Sequence, residues 1–245
     1  MTKITRNLLY IAGLVLMLAM FGCGSSGTST AKASKANIAI KTSTEDGTYV
    51  ELTEGNLEWV ATDLSYSDHL GVSLVKLDST DEHDSIKIDN LEDNKTYLFR
   101  VMAEGSDGNK YGGQKLVTIT GDNTPVEITC YPFDGFDGFE GSWVYHKEPQ
   151  HDTQDTSAEY SYSYSSIEVD DGGAGSFEYS SYNGNSHTSL DYQVFLAPTD
   201  KSNIMKIIGL SQSDSPVLKT VAEVSGNKLT LKNVPEAGKV TLDRE

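Results

Sequence analysis

Hydrophobic and polar residues alternate in short runs along most of this chain. Asn37-Ile38-Ala39-Ile40-Lys41, Leu57-Glu58-Trp59-Val60, Ser85-Ile86-Lys87-Ile88-Asp89 and Lys228-Leu229-Thr230-Leu231-Lys232 repeat with period two, and Gly, Asn and Asp separate such runs. Period two sends successive side chains to opposite faces, so each run predicts an antiparallel strand. Tyr, Ser, Thr and Val are abundant, as half-buried pleated surfaces favour. No segment beyond the N-terminal stretch sustains a helical period. Pro216 to Val224 fits either period: Val217, Leu218, Val221 and Val224 have helical spacing, and the same residues suit a strand. The expected class is all-β.

The N-terminus breaks the pattern. Lys3 and Arg6 precede an almost wholly apolar run, Leu8 to Phe21, which ends in Met20-Phe21-Gly22-Cys23. A positive start, a short apolar core and a small residue before the cut make a secretory signal. The core is about 14 residues, short of the roughly 20 that a spanning helix needs. Cys directly after Gly resembles the lipobox of bacterial lipoproteins. That resemblance implies a signal peptide over residues 1–22 and a diacyl or triacyl (palmitate-bearing) Cys23 as the first mature residue, enough for stable anchoring. An ordinary signal with an incidental cysteine is the alternative. Residues 23–35 continue as small and polar GSSGTSTAKASK after the Cys, which reads as a flexible tether. The implied location is the cell envelope, held to the membrane by the lipid. With Gly rather than Asp at position 24, it is the outer membrane if the source is Gram-negative.

Two domains are expected, residues 36–131 and 142–245. The connection, residues 132–141, reads Pro132-Phe133-Asp134-Gly135-Phe136-Asp137-Gly138-Phe139-Glu140-Gly141. Three Phe-acid-Gly triplets suit neither strand nor helix. Asp134, Asp137 and Glu140 carry oxygen ligands of the kind Ca²⁺ takes, but not the alternating spacing of a calcium hand. The segment reads as a turn-rich linker.

In the first domain, Leu91, Tyr97, Val101 and Ala103 lie within Asn90-Leu91-Glu92-Asp93-Asn94-Lys95-Thr96-Tyr97-Leu98-Phe99-Arg100-Val101-Met102-Ala103. This resembles the entry to strand F of fibronectin type III domains, where a Leu six residues before a Tyr precedes Val-x-Ala. The resemblance implies an immunoglobulin-like sandwich, a tyrosine corner at Tyr97 and Trp59 as the core Trp of strand B. The acidic stretch Asp78 to Asp84 reads as a solvated loop.

In the second domain about eight alternating segments follow: around Trp143-Val144-Tyr145, Tyr160 to Val169, Ser176 to Tyr182, Leu190 to Leu196, Ile204 to Leu210, Val217 to Val224, Leu229 to Leu231 and Val240 to Leu242. Eight up-and-down strands can close into a barrel wide enough for one small ligand. A second β-sandwich is the alternative. Gly141-Ser142-Trp143 near the start and Arg244 near the end are similar to the lipocalin pattern, in which the Arg packs over the Trp at the closed end. Arg244 shares parity with Val240 and Leu242, so it is expected to point inward against Trp143. Gly226-Asn227 and Asp170 to Gly173 read as hairpin turns. Tyr160, Tyr162 and Tyr164 share one strand face, with Tyr179 and Tyr182 nearby. They form either a ladder over the core or an aromatic platform for a flat ligand or sugar.

The formal charge is −17, and −19 without residues 1–22, which hold Lys3, Arg6 and no acid. Nucleic acid repels such a chain and is excluded as a partner. Of the two cysteines, Cys130 is in phase with Val126 and Ile128 and reads as a small buried hydrophobe. The five histidines, His69, His83, His146, His151 and His187, are scattered. His146 and His151 near Glu148 and Asp152 read as a solvated loop rather than a metal cluster. No nucleophile elbow, zinc helix or phosphate loop is present, so no catalytic residue, metal or cofactor is expected. The expected role is a non-catalytic binding protein for a small apolar or saccharide ligand or an envelope partner. A structural or adhesion lipoprotein with spacer domains comes second and an envelope enzyme third.

Cys23→Ser should release the protein from the membrane fraction or block its processing, as read by fractionation and intact mass. A variant that stays membrane-bound and is normally processed refutes the anchor.

Overall fold

The computed structural model describes residues 33–44, 47–62, 73–78, 86–150, 161–183, 186–211 and 217–245, with backbone alone at 73–74, 78, 146–150, 161–162 and 183. Cys23, the tether before residue 33, most of the acidic stretch and Tyr160 lie outside the described residues. The described residues are all-β, with fifteen strands and no helix. Residues 33–245 form one compact unit.

Seven strands make the first half: β1 (Ala33–Thr42), β2 (Leu52–Ala61), β3 (Ser73–Asp78), β4 (Ile86–Glu92), β5 (Thr96–Gly105), β6 (Lys110–Thr118) and β7 (Thr124–Phe133). They form a single curled sheet in the order β3-β2-β5-β6-β7-β1-β4. β1 begins at Ala33, three residues inside the expected tether. β7 carries the curl: its start runs parallel to β1, and Tyr131 to Phe133 pair antiparallel with β6. The concave face closes on Ile38, Leu57, Leu77, Phe99, Val101, Ile128 and Cys130. Tyr97 accepts a hydrogen bond from the Glu92 amide at 3.0 Å, tying the β4–β5 turn to its strand. Trp59 lies on β2, which pairs with β3 and β5 rather than with β1 and β4. It is half-buried against the edge of this core.

Eight strands make the second half: β8 (Gly141–Gln150), β9 (Ser161–Val169), β10 (Ala174–Asn183), β11 (His187–Pro198), β12 (Ile204–Leu210), β13 (Leu218–Ser225), β14 (Lys228–Val234) and β15 (Gly238–Arg244). Each pairs antiparallel with the next, and β15 returns to β8, giving a closed barrel. The ambiguous segment before Ser225 is therefore a strand, β13. Its burial alternates through Leu218, Thr220 and Ala222, the period that barrel packing demands. Gly226-Asn227 makes the β13–β14 hairpin, with Gly226 at φ +59°.

The segment 132–141 enters the barrel. Phe136 and Phe139 are buried in the barrel core with Trp143, Val169 and Val194. A tight turn, in which the Phe139 and Glu140 amides donate to the Phe136 carbonyl, drives both rings inward. Trp143 donates through Nε1 to the Phe139 carbonyl at 2.8 Å. Arg244 is paired directly opposite Trp143, with its guanidinium 4.6 Å from the indole centroid. Because β15 ends there, Arg244 is exposed and closes the barrel from the outside instead of filling its interior. One of its nitrogens donates to the carbonyls of Asp137, Gly138 and Glu140, the shortest at 2.8 Å. The end of the barrel is thus plugged by its own preceding segment.

Sheet and barrel meet at a third core. Val60 and Leu98, on the convex face of the sheet, pack with Phe195 and Leu210 from the barrel wall. Arg100 is buried among them at 5% exposure. It donates through Nε to the Leu196 carbonyl at 3.2 Å and through Nη2 to the Gly172 carbonyl, and its Nη1 is 3.4 Å from Glu58. Its Cζ lies over the Phe136 ring, 5.8 Å from the centroid. Gly173, at φ +70°, lies so close to Phe136 that a Cβ there would sit 2.4 Å from the ring. Gln114 adds hydrogen bonds to the carbonyls of Phe195 and Lys206, both at 3.2 Å.

Arg100→Leu removes donors from two carbonyls and leaves Glu58 unpaired. It should cost about 2–4 kcal/mol and split the unfolding transition into separate sheet and barrel steps by calorimetry. A single unshifted transition refutes Arg100 as the pin.

Candidate functional site

The strand registers stack the barrel interior in rows. Nearest the plug, Gly141, Val169, Gly175 and Val194 are directly paired. The next row is Trp143, Ile167, Phe177 and Tyr192, exposed by 0%, 1%, 0% and 1%. Phe177 and Tyr192 stack with centroids 6.4 Å apart. This row is a filled, apolar floor. One step further from the plug comes Tyr145, Ser165, Tyr179 and Leu190. Here a serine stands between two tyrosines, and the short side chain leaves a notch.

Above the floor opens a cavity of about 450 Å³. Tyr145, Ser163, Ser165 and Tyr179 line one side; Glu236, Lys239 and Thr241 line the other. The rim turn between β14 and β15 is strongly bent. Asn233, Glu236 and Gly238 have φ of +61°, +62° and +67°, and the Ala237 amide donates to the Pro235 carbonyl at 2.7 Å. A glutamate in the left-handed region is strained, a feature that clusters at ligand clamps.

Ser165 is 1% exposed and its hydroxyl has no hydrogen-bond partner. An unmet hydroxyl in such a place costs about 1–3 kcal/mol. The Tyr192 hydroxyl, in the floor, is likewise buried without a partner, and burial pushes its phenol above the usual range. A second hollow, of about 320 Å³, lies between the end of the sheet and the barrel, beside Tyr131, Phe133, Asp134 and Asp200. None of its lining residues has a buried polar atom lacking a partner. The barrel mouth is therefore the stronger of these two sites.

Of the three tyrosines grouped in the sequence, only Tyr164 has a described side chain. Tyr160 is outside the described residues, and only the backbone of Tyr162 is described. Tyr164 alternates with the interior Ser163 and Ser165 and is half-buried on the outer wall. The serines between the tyrosines reach the cavity, and the aromatic pair that does so is Tyr145 and Tyr179. Ser163, Ser165 and Glu236 escaped the sequence reading because serine in a strand carries no chemical signature until its neighbours across the barrel are known. Among the described residues, no three His, Cys, Asp or Glu side chains converge as a metal site. No protein-family model, curated protein or solved structure matches the chain.

Cys130 is fully buried, and burial pushes its thiol up to about 12. The thiolate is the reactive form, so folded Cys23→Ser protein should resist iodoacetamide at pH 8 and take up one equivalent after unfolding in urea. The raised pKa also means that stability from the neutral thiol is full below about 9 and declines as pH rises from there towards 12. Rapid labelling of the native protein contradicts the closed position of β7.

Proposed function

We propose that this chain is an exported, lipid-anchored envelope protein that binds a small ligand without catalysis at the open mouth of its barrel. The observation that carries the reading is the 450 Å³ cavity above a filled floor, with the partnerless Ser165 hydroxyl beside it. Small-ligand sites are commonly concave, of about 300–1,000 Å³, with a few polar groups set among apolar ones, and barrel mouths are a preferred place. The Lys3, Arg6, Leu8–Phe21 and Cys23 pattern supports export and anchoring. In chain order the anchor would be followed by the sheet, with the barrel at the far end. The sheet docks on the row of Leu196, towards the plug, and leaves the mouth clear. A spacer role is the second reading, favoured by the buried Arg100 contact that joins sheet and barrel.

Native mass spectrometry of the protein purified from its own source should show an acylated Cys23 and a retained small molecule. Tyr145→Ala should lower ligand occupancy several-fold with an unchanged acyl mass. A ligand-free spectrum in gentle conditions, together with an acylated Cys23, favours the spacer reading.

A further inference from the structure

The proposed ligand-binding role leaves the class of ligand open, and the cavity's chemistry narrows it. A long acyl chain requires a deep apolar shaft. Here the shaft is occupied by Trp143, Ile167, Phe177 and Tyr192, each no more than 1% exposed, so only the upper part of the barrel is available. A polyanion is opposed by a formal charge of −17, and at the rim Glu236 offsets Lys239. A flat apolar aromatic would stack on Tyr145 or Tyr179, but it would leave the buried Ser165 hydroxyl still without a partner and would strip water from Ser163 and Glu236 without replacing their hydrogen bonds. Buried polar groups left unpaired disfavour such a ligand strongly.

One chemistry meets all of these constraints. A neutral sugar ring offers an apolar C–H face to a tyrosine and hydroxyls around its edge, each both donor and acceptor. We propose that the barrel mouth binds a neutral mono- or disaccharide, with its ring against Tyr145 and Tyr179. In that pose one sugar hydroxyl partners the Ser165 Oγ, and Glu236 at the rim holds another. Three features converge on this pose. Tyr145 and Tyr179 flank Ser165 in a single register row. The Ser165 hydroxyl is buried without a partner beside the cavity. The cavity volume of about 450 Å³ suits about one or two pyranose rings. Tyr145, 38% exposed, is the ring free enough to swing aside as the sugar reaches Ser165.

The test uses the full-length Cys23→Ser protein and titration calorimetry with five probes: N-acetylglucosamine, maltose, cellobiose, p-cresol and laurate. At least one of the three sugars should bind with a Kd of about 1 mM or tighter. Tyr145→Ala should weaken it at least tenfold, and Tyr49→Ala, an exposed tyrosine on the sheet half, should leave it unchanged. Ser165→Val should weaken it at least fivefold while leaving the ligand-free Tm the same or higher, because the orphan hydroxyl is gone. Should Ser165→Val not fold, Tyr145→Ala carries the decision alone. Sugar binding that is indifferent to Tyr145→Ala, or a Ser165→Val variant with lowered Tm and full affinity, overturns the pose. Binding of p-cresol or laurate but of no sugar overturns the ligand class while the small-ligand reading stands. Failure of all five probes overturns the class as well. Only a ligand-free protein from its own source also removes the small-ligand reading.

Discussion

A buried guanidinium holds the molecule together. Taking Arg100 out of water is costly, and burial pushes its pKa below the usual value while Glu58 and Asp170 act in the opposite sense. The cost is offset only where the cation's acceptors are fixed in place. Leu196 supplies one from the barrel wall, Gly172 one from the β9–β10 hairpin and Glu58 one from β2. The ring of Phe136, from the plug, lies beneath the cation. Four separate pieces of chain must be in position for this one side chain to be satisfied. Sheet, hairpin, wall and plug are therefore coupled through it, which accounts for residues 33–245 forming a single compact unit despite containing two separate sheet cores.

The plug determines what the barrel can do. Phe136 and Phe139 fill the end nearest the sheet, and Trp143, Ile167, Phe177 and Tyr192 fill the middle. Closure by side chains gives the barrel a dry core of its own, so its stability does not depend on a guest. The remaining open end is free to be polar. Serines replace bulky residues along β9 at positions 163 and 165, and interior polarity rises from the Val169 row to the Ser165 row. The site is thus a shallow cup on a solid base.

Much of the fold could be read from the pattern of residues. The strands β8 to β15 match the alternating segments because each has one face in a closed interior, and the alternation is lost where the sheet covers the outer face too, at Val194 to Pro198 of β11. β5 was harder. Tyr97, Leu98, Phe99, Arg100 and Val101 are all buried, the mark of a strand covered on both faces. In the sequence this reads only as an apolar run with an arginine in it. The partner that covers Leu98 and Arg100 is β11, almost 100 residues later, and a long-range contact leaves no local signature. The same limit explains the segment 132–141. Its glycines announced turns, and its three phenylalanines announced burial, but nothing local showed that a barrel formed later in the chain would take in two of those rings.

The site was less legible for a related reason. Aromatic residues attract attention, and Tyr160, Tyr162 and Tyr164 formed the most conspicuous cluster. Which face of a strand becomes the interior is decided by the whole barrel, here by Ile167 and Val169, whose burial fixes the parity of β9. That parity puts Ser163 and Ser165 inside, and a one-residue shift of register would have exchanged them for the tyrosines. Two tyrosines with a serine between them make a notch, whereas three tyrosines in a row would have filled the mouth. Among the described residues, the small side chains at 163 and 165 are thus what leave space above the floor. Tyr164, of the other parity, is half-buried on the barrel wall.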